Sequence, residues 1–101
     1  MTLKVDTSQD GSTVTIHVGG RFDFNIHQEF RKAYEKVKKT ASKYIINLNE
    51  TQYIDSSALG MLLLLRDSAG GDKSDITIIV SSEDVKKILT ISNFGKLFKI
   101  Q

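Results

Sequence analysis

The sequence predicts an α/β domain, a mixed β-sheet of about five strands with helices packed on it, in the order β-β-α-β-α-β-α-β. Three observations carry this reading. Residues 13–18, "TVTIHV", alternate polar and apolar at the two-residue period of a strand; "KYIINLN" and "DITIIV" are continuous apolar runs of strand length; and segments of helical period separate them. Strands alternating with helices pair in parallel through crossovers, whereas the first two strands are close enough to form a hairpin. At 101 residues the chain is expected to be one domain, residues 1–101, large enough to bury its own core.

The elements follow in order. Leu3 and Val5 open an alternation that "QDGS" interrupts as a turn, and Val14, Ile16 and Val18 then share one strand face. "GGRFDFN" breaks the pattern with two glycines and reads as a loop or tight turn. From Ile26 the apolar residues recur as Ile26, Phe30, Ala33, Tyr34, Val37 and Ala41, one face of an amphipathic helix whose other positions carry Arg31, Lys32, Glu35, Lys36, Lys38 and Lys39. "KYIINLN" has the composition of a central strand covered on both faces, by helices or by a partner.

The next helix is expected from about Ser57 to Asp67, with Gly70-Gly71 as its end. Ala58, Met61, Leu62 and Leu65 make one face. Leu59, Leu63 and Leu64 carry the apolar surface further round than a one-sided helix needs, so part of it is expected to meet a partner. "DITIIV" is a second central-type strand, "SSEDVKKILTIS" has the capping pattern of a short helix, and "KLFKI" is a candidate edge strand. No internal repeat, low-complexity segment or linker is visible.

Composition bounds the function. The chain is 40% hydrophobic and 26% charged, as in ordinary globular proteins, and its net charge of +2 is too small to demand a nucleic-acid or membrane partner. The basic face of the first helix, Arg31 to Lys43, has no interleaved aromatic platform and reads as solvated. Without cysteine there is no disulfide and no thiolate chemistry. The start "MTLKVDTSQDGS" lacks an export signal, and no apolar stretch is long enough to span a bilayer, so a cytoplasmic location is expected.

Enzymatic readings find little support. Ser56 lacks the G-x-S-x-G elbow, and the only imidazole bases are His17, on the polar face of a strand, and His27, near a helix start; both read as solvent-exposed. Two distant histidines and scattered carboxylates show no metal-ligand spacing, and neither glycine pair completes a nucleotide fingerprint, so no cofactor or metal is expected. What remains is "YIDSSALGMLLLL", residues 53–65, with an aspartate and two serines where one helix cap would suffice. One hydroxyl is free for another task, and a hydroxyl at a helix N-terminus is a reasonable phosphoacceptor.

These residues carry a resemblance. "NLNETQYIDSSALGMLLLLRD", together with "VTIHVGGRFDF", "YIINLN" and the late "SNFGKLFKI", resembles the STAS domains, specifically the single-domain bacterial anti-sigma factor antagonists, over nearly the whole chain. The resemblance implies a STAS-like fold and a protein that is a kinase substrate, not an enzyme. It makes Ser56 the phosphorylated serine, with Asp55 beside it and Ser57 as a neighbouring hydroxyl. Asp23 matches an acidic loop residue near that serine, and Gly60 the motif's glycine, where a small residue lets a partner approach. With Leu59 and Leu63 these complete the expected partner-binding set. The implied partners are an anti-sigma factor that is also a serine kinase, bound by the unphosphorylated form, and a PP2C-type phosphatase that resets the switch. An alternative output is a biofilm regulator or a cyclic-nucleotide-making enzyme under the same switch. A monomer or weak dimer is expected. Two features depart from the family pattern: Arg21 stands where members commonly carry an acidic residue, and the sequence stops at Gln101 where many members continue into a helix.

Overall fold

The first hairpin is closed by a single carboxylate. Asp10 Oδ1 accepts from the Ser12 amide (3.1 Å) and from the hydroxyls of Ser8 (2.7 Å) and Ser12 (2.8 Å). These donors, the Ser12 amide foremost, hold the Asp10 carboxyl down at about 2. The turn joins β1 (Leu3–Thr7) to β2 (Thr13–Val18) in antiparallel register, Leu3 opposite Val18 and Thr7 opposite Val14. The computed structural model describes residues 3–101; Met1 and Thr2, which begin both the expected domain and the stretch without an export signal, lie outside the described residues.

After β2 come β3 (Gly20–Phe22), a 3₁₀ turn (Phe24–Ile26), α1 (His27–Glu35), β4 (Lys43–Asn47), β5 (Thr51–Ile54) and α2 (Ser56–Ser68). The chain continues through β6 (Ile76–Ile79), α3 (Glu83–Ile91), a second 3₁₀ turn (Phe94–Lys96) and β7 (Lys99–Ile100). The main sheet has five strands in the order β1-β2-β4-β6-β7, with β1 antiparallel and the remaining pairs parallel. This is the mixed α/β architecture that the alternation of strands and helices predicts. β7 is the expected edge strand, prolonged by the Gln101 amide on the Ile78 carbonyl and the Val80 amide on the Gln101 carbonyl.

Residues paired across strands share a face, and the burial follows that rule. Val14, Tyr44 and Ile76 form one buried row and Ile16, Ile46 and Ile78 the next, all within the single core cluster that the helices complete. The alternate row, Thr15, Ile45 and Thr77, lies outside that cluster, and Thr15 and Ile45 are only half-buried. Within the chain, "KYIINLN" is thus covered unequally on its two faces, with Thr77 buried and Ile45 half-buried on the second. An apolar Ile45 on the less covered face makes an alternating strand read as a continuous apolar run.

α1 is also shorter than its periodicity suggests. It stops at Glu35, yet Val37 and Ala41 still pack against the core from a turn. That turn closes on the Val37 carbonyl, which accepts from the Ala41 amide (2.9 Å), the Thr40 amide (3.1 Å) and the Thr40 hydroxyl (3.3 Å). The threonine hydroxyl offers the backbone a local alternative to helix, and three lysines in the turn repel one another if stacked. α3 starts where its pattern predicts, with Ser82 Oγ accepting from the Val85 amide at 3.3 Å.

α2 buries Ala58, Met61, Leu62 and Leu65, the face its spacing predicts, and it ends before Gly70, whose φ of +115° is strained for any residue with a Cβ. Leu62 is fully buried, whereas Leu64 is 60% exposed. Leu62→Ala is expected to cost about 2–5 kcal/mol, while Leu64→Ala should leave stability within about 0.5 kcal/mol. Urea denaturation of the two variants checks this assignment of faces.

Candidate functional site

Sequence patterning misses the device that builds the site. "GGRFDFN" is not merely a loop: β3 and β5 form a separate two-stranded parallel ribbon, with Arg21 opposite Tyr53 and Phe22 opposite Ile54. It springs from the ends of β2 and β4, which run parallel, so it sits at the carboxyl edge of the central strands, where α/β sheets place their sites. Gly20 takes a φ of +70° to start β3, and its amide donates to the Glu50 carbonyl at 2.9 Å. The buried Thr51 hydroxyl donates to the Val18 carbonyl and ties the start of β5 to the end of β2. Phe22 and Ile54 then point into the core, and Arg21 and Tyr53 face out.

Both ribbon strands end in an aspartate that caps the helix after it, and the two caps have nearly the same backbone. Asp23 has φ −140° and ψ −172°, and Asp55 has φ −125° and ψ −175°. Asp55 Oδ1 accepts from the Ala58 amide at 3.1 Å and from the Ser57 hydroxyl at 2.6 Å. The Ser57 hydroxyl is the main reason that the Asp55 carboxyl lies below the ordinary carboxylate range, with the Ala58 and Ser57 amides and the charge of Arg21 adding to it. Ser56 opens α2, is exposed, and its hydroxyl makes no hydrogen bond among the described residues. The three polar residues thus divide the work: Asp55 caps, Ser57 braces the cap, and the Ser56 hydroxyl is free.

Asp23 is buried where Ser56 is not. Its Oδ1 accepts from the Asn25 amide at 3.0 Å and its Oδ2 from Arg21 Nε at 3.2 Å. The Arg21 guanidinium lies 4.0 Å above the centre of the Tyr53 ring, so one cation serves a carboxylate and an aromatic face together.

Beside this cluster, α1 and α2 leave a groove of about 490 Å³ lined by Phe24, His27, Phe30, Tyr34, Gly60, Met61 and Leu64, with Arg31 and Ser57 also on its wall. Gly60 leaves it open, since a Cβ built there meets nothing within 4 Å. On its wall Phe24 is 62% exposed, whereas Leu63, 39% exposed, and the half-buried Leu59 are not among the residues that line it. The expectation of a merely solvated His27 is corrected: its ring stacks on Phe24 with centroids 3.9 Å apart, and Nδ1 lies 2.8 Å from the Phe24 carbonyl. His17 likewise is half-buried and has a partner, Asp6 Oδ2 at 3.0 Å from Nε2. Sequence reasoning left Tyr53 and Phe24 out of the site. The alternation Arg21-Asp23 against Tyr53-Asp55 is a two-residue period that could have revealed the ribbon.

A family model described as Mlab, STAS domain, matches residues 5–100. The chain belongs to the STAS domain family. This STAS domain is 53% identical over 100 residues to a STAS-domain containing protein of Pseudomonas aeruginosa, covering 99% of each chain. Among solved structures it is similar to the anti-sigma factor antagonist SpoIIAA in its unphosphorylated form, with a TM-score of 0.77, 16% identity, and coverage of 98% of this chain and 86% of that one. The phosphorylated form of the Bacillus cell fate determinant SpoIIAA gives a TM-score of 0.69 at 17% identity, over 98% and 90% of the two chains. A candidate anti-sigma factor antagonist from Thermotoga maritima gives 0.82 at 19% identity, over 97% and 84%. At these identities the structural likeness establishes a shared fold.

Two expectations follow from the local geometry. Gly60 is helical and unobstructed, so Gly60→Ala should stabilise the isolated STAS domain by about 0.5–1 kcal/mol, read as a raised thermal midpoint. Asp55→Ala removes a cap and should cost about 1 kcal/mol near neutral pH. The folded Asp55 carboxyl lies below its unfolded value of 3.8, so its contribution is complete above that value and is lost as pH falls through the lower, folded one. Urea midpoints of the two proteins should therefore converge on acidification.

Proposed function

We propose that this STAS domain is an anti-sigma factor antagonist, a protein-binding module switched by phosphorylation of Ser56. The single observation that carries the reading is the free, exposed Ser56 hydroxyl at the first position of α2, beside a groove that leaves Phe24 and Leu64 in solvent. The unphosphorylated form docks on an anti-sigma factor that is also a serine kinase, which presents Ser56 to that partner's ATP. Asp23, Asp55, Ser57, Leu59, Gly60 and Leu63 belong to the contact surface. Buried apolar area from α2 supplies affinity, and Gly60 allows close approach.

Phosphorylation then ends the contact. A phosphate adds a charge of about −2 beside Asp55 and must be desolvated if the partner stays, so docking weakens without any need to melt α2. A PP2C-type phosphatase restores the binding form. In this scheme the chain is a substrate and regulator of transcription in the cytoplasm, acting without catalysis or cofactor of its own.

The test is affinity for the kinase partner as a function of residue 56. Ser56→Ala should bind within about twofold of the unmodified protein and stay bound when ATP is added, whereas Ser56→Asp and the phosphorylated protein should bind about 10²-fold or more weakly. Equal affinity of all these forms, by calorimetry or surface plasmon resonance, would sink the proposal. Capture of partners by Ser56→Ala from cells of the native host distinguishes an anti-sigma factor from a biofilm regulator or a nucleotide cyclase.

A further inference from the structure

The ribbon holds like charges close together. Asp23 and Asp55 end adjacent parallel strands; one step beyond the Phe22–Ile54 pair brings them level, on the face that also carries Arg21 and Tyr53. Arg21 already leans toward that end of the ribbon, since its Nε reaches two residues along its own strand to Asp23. It is also loosely held. Its side chain is 66% exposed, and it contributes a single nitrogen to Asp23 in place of the bidentate fork that guanidinium groups prefer.

Resting on the proposal that Ser56 is phosphorylated, we infer that Arg21 is the internal counter-charge of the phosphorylated serine, leaving Asp23 and the Tyr53 ring to pair with the phosphate. The argument is one of competition at short range. Asp23 offers Arg21 one carboxylate oxygen, and Asn25 holds the other. A phosphate on Ser56, the residue after Asp55, offers about twice the charge and three acceptor oxygens in a geometry that fits the guanidinium fork. Arg21 is within electrostatic reach of this end of the ribbon, because it is one of the groups that hold the Asp55 carboxyl low.

The consequence is a signal that crosses from one strand to the other. When Arg21 leaves, Asp23 keeps its bond to the Asn25 amide but loses its cation, and the face of Tyr53 is uncovered. Phe24 follows Asp23 directly and lines the groove with His27 and Leu64. A modification on α2 would thereby alter the surface just before α1, so both walls of the groove respond to one phosphate. An acidic side chain at position 21 could not make this contact, so the device requires a cation at residue 21.

The test uses the intact protein with phosphoserine installed at position 56 during translation, so no kinase is needed. The second ionisation of the phosphate is followed by ³¹P NMR in the unaltered background, in Arg21→Gln and in the charge-conserving Arg21→Lys. The charged groups at this end of the ribbon are Asp55, Asp23 and Arg21. The phosphate pKa should rise by about half a unit in Arg21→Gln and by less in Arg21→Lys. The Arg21 Nε–H resonance should also move when Ser56 is phosphorylated. An unchanged phosphate pKa in Arg21→Gln, or an Arg21 Nε–H signal that ignores the phosphate, overturns the inference. Neither outcome bears on whether a kinase uses Ser56; failure of kinase-driven phosphorylation would overturn the proposed function and leave these NMR results standing.

Discussion

The site depends on how the chain leaves its main sheet. The Thr51 hydroxyl on the Val18 carbonyl and the Gly20 amide on the Glu50 carbonyl fasten two exits that are far apart in sequence, one after β2 and one after β4. The Thr51 hydroxyl satisfies the carbonyl of buried Val18 at the end of β2, and the Gly20 amide is satisfied in the turn after β4. The short ribbon that follows slips by one residue between Gly20 and Arg21, and then pairs Arg21 with Tyr53 and Phe22 with Ile54. Phe22 and Ile54 go inward together, and Arg21, Asp23, Tyr53 and Asp55 come outward or to its end together. Without that fastening the two aspartate caps would have no fixed relation.

The same arrangement explains why an apolar helix can sit at a polar site. α2 spends Ala58, Met61, Leu62 and Leu65 on the core and leaves Leu63 and Leu64 outside. Its N-terminus is satisfied by Asp55 with Ser57 as a brace, so the capping requirement is met without Ser56. The core and the exposed surface therefore draw on different residues of one short segment. A substitution at Leu62 acts on folding, whereas Ser56 and Leu64 lie in solvent and contribute little to the core.

Electrostatics decide the character of the exposed end. Two carboxylates capping adjacent elements would repel, and Arg21, stacked on Tyr53 and bonded to Asp23, offsets that repulsion while remaining largely in water. An acidic residue at position 21 would leave this end wholly anionic. This chain instead carries a cation there, bonded to Asp23 and near enough to lower the Asp55 carboxyl.

The sequence by itself determined the order of the helices and of the five main-sheet strands, the buried face of α2 and the redundancy of "DSS" as a cap, because each is written in short-range periodicity or in local capping chemistry. The family resemblance added Ser56, Asp23 and Gly60 as residues of interest. Local pattern failed where the cause was distant. The end of α1 at Glu35, with Val37 and Ala41 still packed, is set by a turn that must deliver Lys43 to the Ser12 carbonyl. The lesser cover over Ile45 is decided by where the helices pack, which an apolar run cannot report. Only the tertiary structure decided that Arg21 and Tyr53 are neighbours and that Asp23 and Asp55 end side by side. Those relations depend on pairing between segments about thirty residues apart, and a three- or four-residue strand carries too little pattern of its own to announce its partner.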